Sequence, residues 1–223
     1  MIHRFFFDGS LQLPSIALEG TEFHHLIHVM RFKIGDTVEV VNGRGSLAKA
    51  SVTALERSAA ILHIHHTNEH SFEGPTLILA QAWIRSIEWV IEKGTELGAT
   101  EFWLFPGQLG EKKQGKEERL RTVAISALKQ CRTLFLPKIV LKSSLDTWEK
   151  PQGTLFFGDL SPNAPKLFKA PDPITIAIGP EKGFSEEEIS RLKALGAQGV
   201  RLHDNILRAE TAGITALSQL YLC

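Results

Sequence analysis

The chain has 223 residues, 43% of them hydrophobic, enough for a full core in one or two domains. Its 25 basic residues are balanced by 25 acidic ones, so the formal net charge is zero. That excludes a protein that coats nucleic acid non-specifically through bulk charge, and leaves room only for local, structure-selective RNA contacts. No apolar stretch approaches membrane-spanning length, and the run Ile2 to Phe7 is too short for a signal peptide. Two widely separated cysteines, Cys131 and Cys223, suggest no disulfide framework and fit a reducing cytoplasm.

The first third of the chain reads mostly as strand. Arg4 to Phe7 is a short aromatic run, and a helix is predicted from Glu22 to Phe32, with Thr21 as N-cap and Phe23, Leu26, Ile27 and Met30 at helical spacing. Asp36 to Val41 is β-rich, Gly43-Arg44-Gly45 reads as a turn, Ser46 to Leu55 alternates as a strand does, and Ala60 to His66 is another strand. A small β-barrel with one helix is the economical reading. The polar stretch Asn68 to Pro75 ends in Gly-Pro and marks a domain boundary, giving domains 1–72 and 75–223.

Beyond it, strands and helices alternate. Thr76 to Ala82 is a strand; Ile87, Val90, Ile91, Gly94 and Leu97 mark a helix that stops at Gly98. Glu101 to Phe105 is a strand, and Leu120 to Cys131 carries one apolar face of a long helix that ends before Pro137. Thr154 to Phe157 and Ile174 to Ile178 are buried-type strands without alternation. Ser185 and Glu188 form a capping box for a helix to about Leu195, Val200 to Leu202 is a short strand, and Ile206 to Leu222 is the last helix. This alternation means an α/β domain, a parallel sheet with helices on both faces, and its ligands lie at the carboxyl ends of the strands.

Two segments fall at such ends: Ile178-Gly179-Pro180-Glu181-Lys182-Gly183-Phe184-Ser185 and Leu202-His203-Asp204-Asn205-Ile206-Leu207-Arg208-Ala209-Glu210-Thr211-Ala212. The first is neither a phosphate-binding P-loop nor a dinucleotide fingerprint. Its glycines let a backbone approach a flat ligand, and Pro180 fixes the turn; taken alone, it reads more readily as a tight strand-to-helix turn. In the second, Ile206 and Leu207 offer apolar walls, while Arg208 and Glu210 are too close in sequence to pair as helical neighbours. His24 and His28 stand at i, i+4, and His63, His65 and His66 cluster on a strand, but no cysteine is near and no metal is expected.

The combination of separated motifs resembles the RsmE family of 16S rRNA uridine-N3 methyltransferases, within the SPOUT (trefoil-knot) superfamily. The resemblance runs through His24-His25-Leu26, Val29-Met30-Arg31 and Gly35-Asp36, through Glu88-Trp89-Val90, Lys93, Thr95-Glu96-Leu97-Gly98, Gln130 and Pro137, and closes on the two segments above. It implies an N-terminal PUA-like RNA-binding β-barrel, a C-terminal knotted parallel-sheet α/β domain, and a cytoplasmic homodimer that uses S-adenosylmethionine and no metal on the 16S rRNA of the small ribosomal subunit. Carried over, the cofactor contacts are Phe157, Gly158, Ile178, Gly179, Pro180, Glu181, Gly183, Leu202, His203, Asn205, Ile206 and Leu207. Arg208 is the candidate for stabilising the uracil anion or a nearby phosphate, and Glu210 for orienting Arg208 or taking the proton.

RNA contacts are expected on Arg4, His24, His25, Arg31 and Lys33 in the barrel, and on Arg85, Lys93, Lys129 and Arg132 in the catalytic domain. The dimer draws sequence support from Ile214, Leu217, Leu220 and Tyr221 on the last helix. Lys182 stands where the family usually has glycine; if that position needs φ > 0, lysine is strained there by about 1–2 kcal/mol. His203 likewise replaces a common glycine. Methylation of another RNA atom, such as a ribose 2′-OH, and a non-catalytic ribosome-assembly factor are the competing readings.

Overall fold

The computed structural model describes residues 2–110 and 115–222; Cys223 lies outside them. The chain divides into two compact units, Met1–Glu73 with Leu128–Leu136, and Gly74–Ala127 with Pro137–Cys223. The division at Glu73 falls inside the polar linker. The return of Leu128–Leu136 to the first unit does not follow from reading each domain as one continuous segment.

The first unit is a five-stranded sheet, β1 (Arg4–Phe6), β2 (Ser15–Glu19), β3 (Thr37–Val41), β4 (Ser46–Leu55) and β5 (Ala59–Glu69), in the order β1-β3-β4-β5-β2. Alternate residues of β4 face one core, where Ala48, Ala50 and Val52 meet Phe5, Leu18, Val38, Val40 and Leu62. Register shifts at Lys49/Ala50 and Val52/Ala54 interrupt the β4–β5 ladder, and such bulges bend a strand. Strand β2 was not expected. It is five residues long and pairs antiparallel with β5, so its stability comes from a partner more than forty residues away.

The expected helix from Glu22 is shorter and less regular. Helix α1 (Gly20–His24) starts earlier, after Glu19 rather than Thr21 and without a side-chain cap, then continues as a π-helical stretch over His25–Val29. Arg31, at φ 58°, ends it in a left-handed conformation. An inserted residue keeps Leu26 fully buried while re-aiming the turn that follows.

Arg132, also left-handed at φ 65°, redirects the chain so that Leu134 and Leu136 bond to the Gly43-Arg44-Gly45 turn. Gly45 N–H donates to Leu134 O at 3.0 Å and Leu136 N–H to Gly43 O at 2.9 Å. A Cβ on Gly43 would stand 2.8 Å from that of Leu136, so this turn glycine also serves as a seat for the returning segment.

The second unit is a six-stranded, wholly parallel sheet: β6 (Leu77–Ala82), β7 (Glu101–Phe105), β8 (Lys138–Leu141), β9 (Thr154–Gly158), β10 (Ile174–Ile178) and β11 (Gln198–Val200), ordered β11-β9-β10-β6-β7-β8. The central strands β6 and β10 are buried at every residue, which accounts for their unalternating apolar runs. Helices α2 (Ile87–Glu96), α3 (Glu117–Cys131), α4 (Glu186–Ala194) and α5 (Ala209–Leu222) connect or close the strands. Gly98 follows α2 as expected, and the Ser185–Glu188 capping box is complete. Two ends differ: β11 stops at Val200, and α5 starts at Ala209, leaving Ile206 to Arg208 outside the helix.

Helix α5 packs on α2, β6 and β10. Leu217 and Leu220 are thereby buried within the chain (0% and 4% exposed), so of the four residues expected at a dimer contact only Ile214 and Tyr221 keep exposed surface.

Candidate functional site

Three loops at the carboxyl ends of adjacent strands enclose one cavity: the end of β9 with Asp159 and Leu160, Ile178 to Phe184 after β10, and Val200 to Leu207 after β11. Ala209 and Ala212 of α5 close it. Of the twelve expected cofactor residues, eleven line this cavity. Phe157 does not. Its ring is 1% exposed and packs edge-on against Phe184 beneath the loop, so it supports the site rather than forming its wall. Strand alternation explains the error: Gly158 faces the cavity and the preceding side chain turns into the sheet core.

Asp159, Phe184 and Arg201 belong to the cavity as well; the resemblance implies a knot loop over Phe157 to Leu160, which includes Asp159, but none of the three is among its named contacts. Asp159 lies one residue past the apolar run of β9, at the strand-end position where ligands gather, and that was the available signal. Its backbone N–H is fixed to Val200 O at 2.9 Å and its Oδ1 accepts from Ser161 N–H at 2.8 Å.

The glycine loop is held by close backbone packing. A Cβ on Gly179 would lie 3.0 Å from the carbonyl carbon of Gly183, and Gly183 itself is left-handed at φ 76°. Gly183 thus takes the conformation that L side chains avoid. Lys182 does not: among the described residues only Arg31 and Arg132 are non-glycine residues with positive φ. Lysine is therefore unstrained at this position. Lys182→Gly should lower stability, by about 0.5–1 kcal/mol, because it adds unfolded-state freedom without relieving strain; urea unfolding reads the sign. His203 is fitted too, its Nδ1 accepting the Asn205 N–H at 2.9 Å.

A latch outside the cavity braces the same loop. Glu188 is 3% exposed; its Oε1 accepts the Gln108 N–H at 3.0 Å and its Oε2 the Ser185 N–H at 2.8 Å. Ser185 Oγ in turn donates to Gln108 Oε1, and Gln108 Nε2 donates to Glu187. The segment after β7 is thus tied to the start of α4, with Pro180 between: Cβ atoms on Gly107 or Gly110 would stand within 3.0 Å of its ring.

Arg208 and Glu210 flank the cavity, between its lining residues Leu207, Ala209 and Ala212. Arg208 is exposed and Glu210 half-buried, and among the described residues neither side chain makes a hydrogen bond or ion pair. Glu210 accordingly does not orient Arg208 here.

The cavity suits a largely apolar ligand that carries hydrogen-bond acceptors on its edge. At Gly183, where a Cβ would meet nothing within 4 Å, the backbone is open to a ligand, and Ile178, Leu202 and Ile206 offer apolar faces. The N–H groups of Leu202, Ile206 and Leu207 have no protein partner among the described residues and are free to bond a ligand. Ile206 and Leu160, 82% and 68% exposed, stand at the mouth.

The expected RNA residues separate into two groups. His24, His25 and Arg31 are exposed on the first unit, the His24 and His28 rings lying 4.8 Å apart; Arg85 is exposed before α2. Three others are committed elsewhere. Arg4, with 6% of its side chain exposed, forks onto Glu39 Oε2 at 3.0 and 3.2 Å; Lys129 bonds Glu22; Lys93 bonds Glu92 and Glu96, both at 2.8 Å. The Glu92 and Glu96 bonds raise the Lys93 pKa above the ordinary lysine range. Arg132 donates to Ile2 O at 3.0 Å and remains exposed. Arg4→Ala should therefore act on stability, by about 2 kcal/mol in urea unfolding, because it strands Glu39. Among the described residues no cluster of three or more His, Cys, Asp or Glu is arranged to hold a metal, and no helix is long and apolar enough to cross a membrane.

Comparison with known proteins places these features. A family model described as an RNA methyltransferase domain matches residues 72–221, and one described as an RNA methyltransferase PUA domain matches 18–64. The chain is 31% identical to ribosomal RNA small subunit methyltransferase E of Synechocystis, covering 92% of this chain and 72% of that protein. It is 28% identical to the protein of the same name in Bacillus subtilis, covering 94% and 90%. Among solved structures, a methyltransferase from Legionella pneumophila in complex with its cofactor SAM superposes with a TM-score of 0.87 at 27% identity, over 98% of this chain and 96% of that one.

Proposed function

This chain belongs to the ribosomal RNA small subunit methyltransferase E family, and from that premise we propose that it transfers a methyl group from S-adenosylmethionine to N3 of a uridine in 16S rRNA. The carrying observation is the three-loop cavity, whose glycines, apolar faces and unpartnered amides match the demands of that cofactor. The Legionella relative was solved with SAM bound. Bound here, S-adenosylmethionine supplies a methyl group already activated on a sulfonium. Asp159 would accept hydrogen bonds from the cofactor's ribose hydroxyls, and the free amides of Leu202, Ile206 and Leu207 would hold its adenine.

The remaining work concerns uracil. N3 carries an amide-like proton that must leave before the atom is a nucleophile, and it sits on the Watson–Crick edge, so the base enters unpaired or flipped. Arg208, exposed and free of internal partners, is assigned to stabilise the uracil anion, and Glu210 to take the proton. Positioning for in-line attack supplies much of the acceleration. The chain path through the three loops is proposed to be the trefoil knot of the superfamily.

The RNA-facing group is proposed to be His24, His25, Arg31, Lys33, Arg85 and Arg132, without the internally paired Arg4, Lys93 and Lys129. Arg85→Ala should weaken binding to 16S rRNA and reduce the salt slope, log K against log salt, by about 1; an unchanged slope removes Arg85 from the interface. The enzyme is proposed to act in the cytoplasm on the small ribosomal subunit, as a homodimer that covers Ile206 and Tyr221. Sedimentation as a monomer at micromolar concentration would count against a shared site.

The central test supplies purified protein with methyl-labelled S-adenosylmethionine and small subunits from a strain lacking the enzyme, then locates the methyl group by mass spectrometry. Label at N3 of one uridine is expected. Label on a ribose oxygen would replace the N3 assignment, and cofactor binding without transfer would favour a non-catalytic assembly factor.

A further inference from the structure

Strand β6 (Leu77–Ala82) is buried throughout, and Gln81 is its one polar side chain. Gln81 is 0% exposed. Its Nε2 donates to Gly179 O at 3.5 Å, a long bond, and its Oε1 has no donor. Native cores hold few such orphaned atoms, because burying an unpaired amide oxygen is destabilising.

The opposing surface accommodates that amide. A Cβ on Gly213 would lie 2.9 Å from Gln81 Oε1. Gly213 sits inside α5, where glycine is a poor helix former. Two locally unfavourable choices, a core amide and a mid-helix glycine, therefore meet at one point. That point lies against Gly179, a wall of the cavity.

We propose that Gln81 is a positioning residue that sets the Gly179–Pro180 peptide and, through it, the loop holding S-adenosylmethionine. The chemistry of that peptide explains the need. Proline has no N–H, so the Gly179 carbonyl is the only polar group by which neighbours can orient the peptide. Gly179 has no side chain to help, and among the described residues Gln81 is the sole hydrogen-bond partner of its carbonyl. Gln81 lies in register with Ile178, the residue before it, so the amide is delivered from a rigid central strand. Packing alone would be met by leucine or methionine, which leave no orphaned oxygen.

The assignment rests on the cavity being the S-adenosylmethionine site. Two variants test it, with cofactor affinity by calorimetry and thermal unfolding of the cofactor-free protein. Gln81→Met keeps the volume and removes the amide; Gln81→Val with Gly213→Ala fills the vacated space from the helix side. Both should unfold no lower than wild type, yet bind S-adenosylmethionine and S-adenosylhomocysteine about tenfold more weakly, the scale of one orienting hydrogen bond. A merely structural glutamine would move stability and leave affinity alone. If wild type binds and both variants match it within twofold, the assignment falls while the parent reading stands; if wild type does not bind the cofactor, the parent reading falls and the assignment with it.

Discussion

Arg208→Ala is expected to lower methyl transfer by about 10²–10³-fold and to leave the fold in place. The rate effect follows from the chemistry of uracil N3. The attacking form is an anion, and a guanidinium next to it stabilises charge that develops only as the proton leaves. The fold is spared because the side chain is exposed and has no partner among the described residues. The contribution of Arg208 to α5 is its carbonyl, which accepts the Ala212 N–H at 2.8 Å and survives the substitution. Cofactor affinity should also hold, since the Arg208 side chain does not line the cavity. Single-turnover transfer to small subunits, calorimetry and urea unfolding check the three statements. Arg208→Lys keeps the charge but loses the planar fork, and should fall between wild type and alanine. Near-wild-type turnover of Arg208→Ala would remove the residue from the mechanism.

The second large effect is on stability. Glu188→Ala should cost about 2 kcal/mol, because one buried carboxylate accepts from two partly buried N–H groups. One belongs to Ser185, the N-cap of α4, and the other to Gln108, almost eighty residues earlier. Truncation strands both donors and unties the brace beside Pro180. Cofactor affinity should fall as well, because Glu188 anchors the end of the loop that walls the cavity. Glu188→Gln retains an acceptor and should lose less. A urea midpoint for Glu188→Ala close to that of wild type would show that the latch is dispensable.

Glu188 shows how unevenly the sequence discloses its structure. The pair Ser185 and Glu188 announces a capping box from three-residue spacing, and the box is there. The second acceptor bond of the same carboxylate, to Gln108, has no local signature. Lys93 repeats the pattern. It looks like a free cation on a helix surface, yet it holds Glu96 one turn away and Glu92 beside it. Arg4 is a plainer case: its partner Glu39 arrives only when β1 pairs with β3.

Local rules, which act over a few residues, were therefore sufficient for the strands β6, β7, β9 and β10, the stop at Gly98, the α4 cap and two of the three loops that enclose the cavity. They were sufficient because periodicity, caps and turn residues report short-range sterics and hydrogen bonding. They fell short at β2 and β8, short strands whose partners lie elsewhere in the chain, and at the start of α5, where the apolar run of Ile206 and Leu207 continues the helical pattern but the helix begins only at Ala209. By itself the sequence determined that this is a two-part α/β protein with glycine-bearing strand-end loops and Arg208 beside them. Only the tertiary structure decided that Phe157 supports the cavity, that Asp159 lines it, that Leu128–Leu136 returns to the first unit, and that Gln81 meets Gly213 behind Gly179. Those facts depend on which distant segments share a core, and pairing between distant segments is settled by packing across the whole fold.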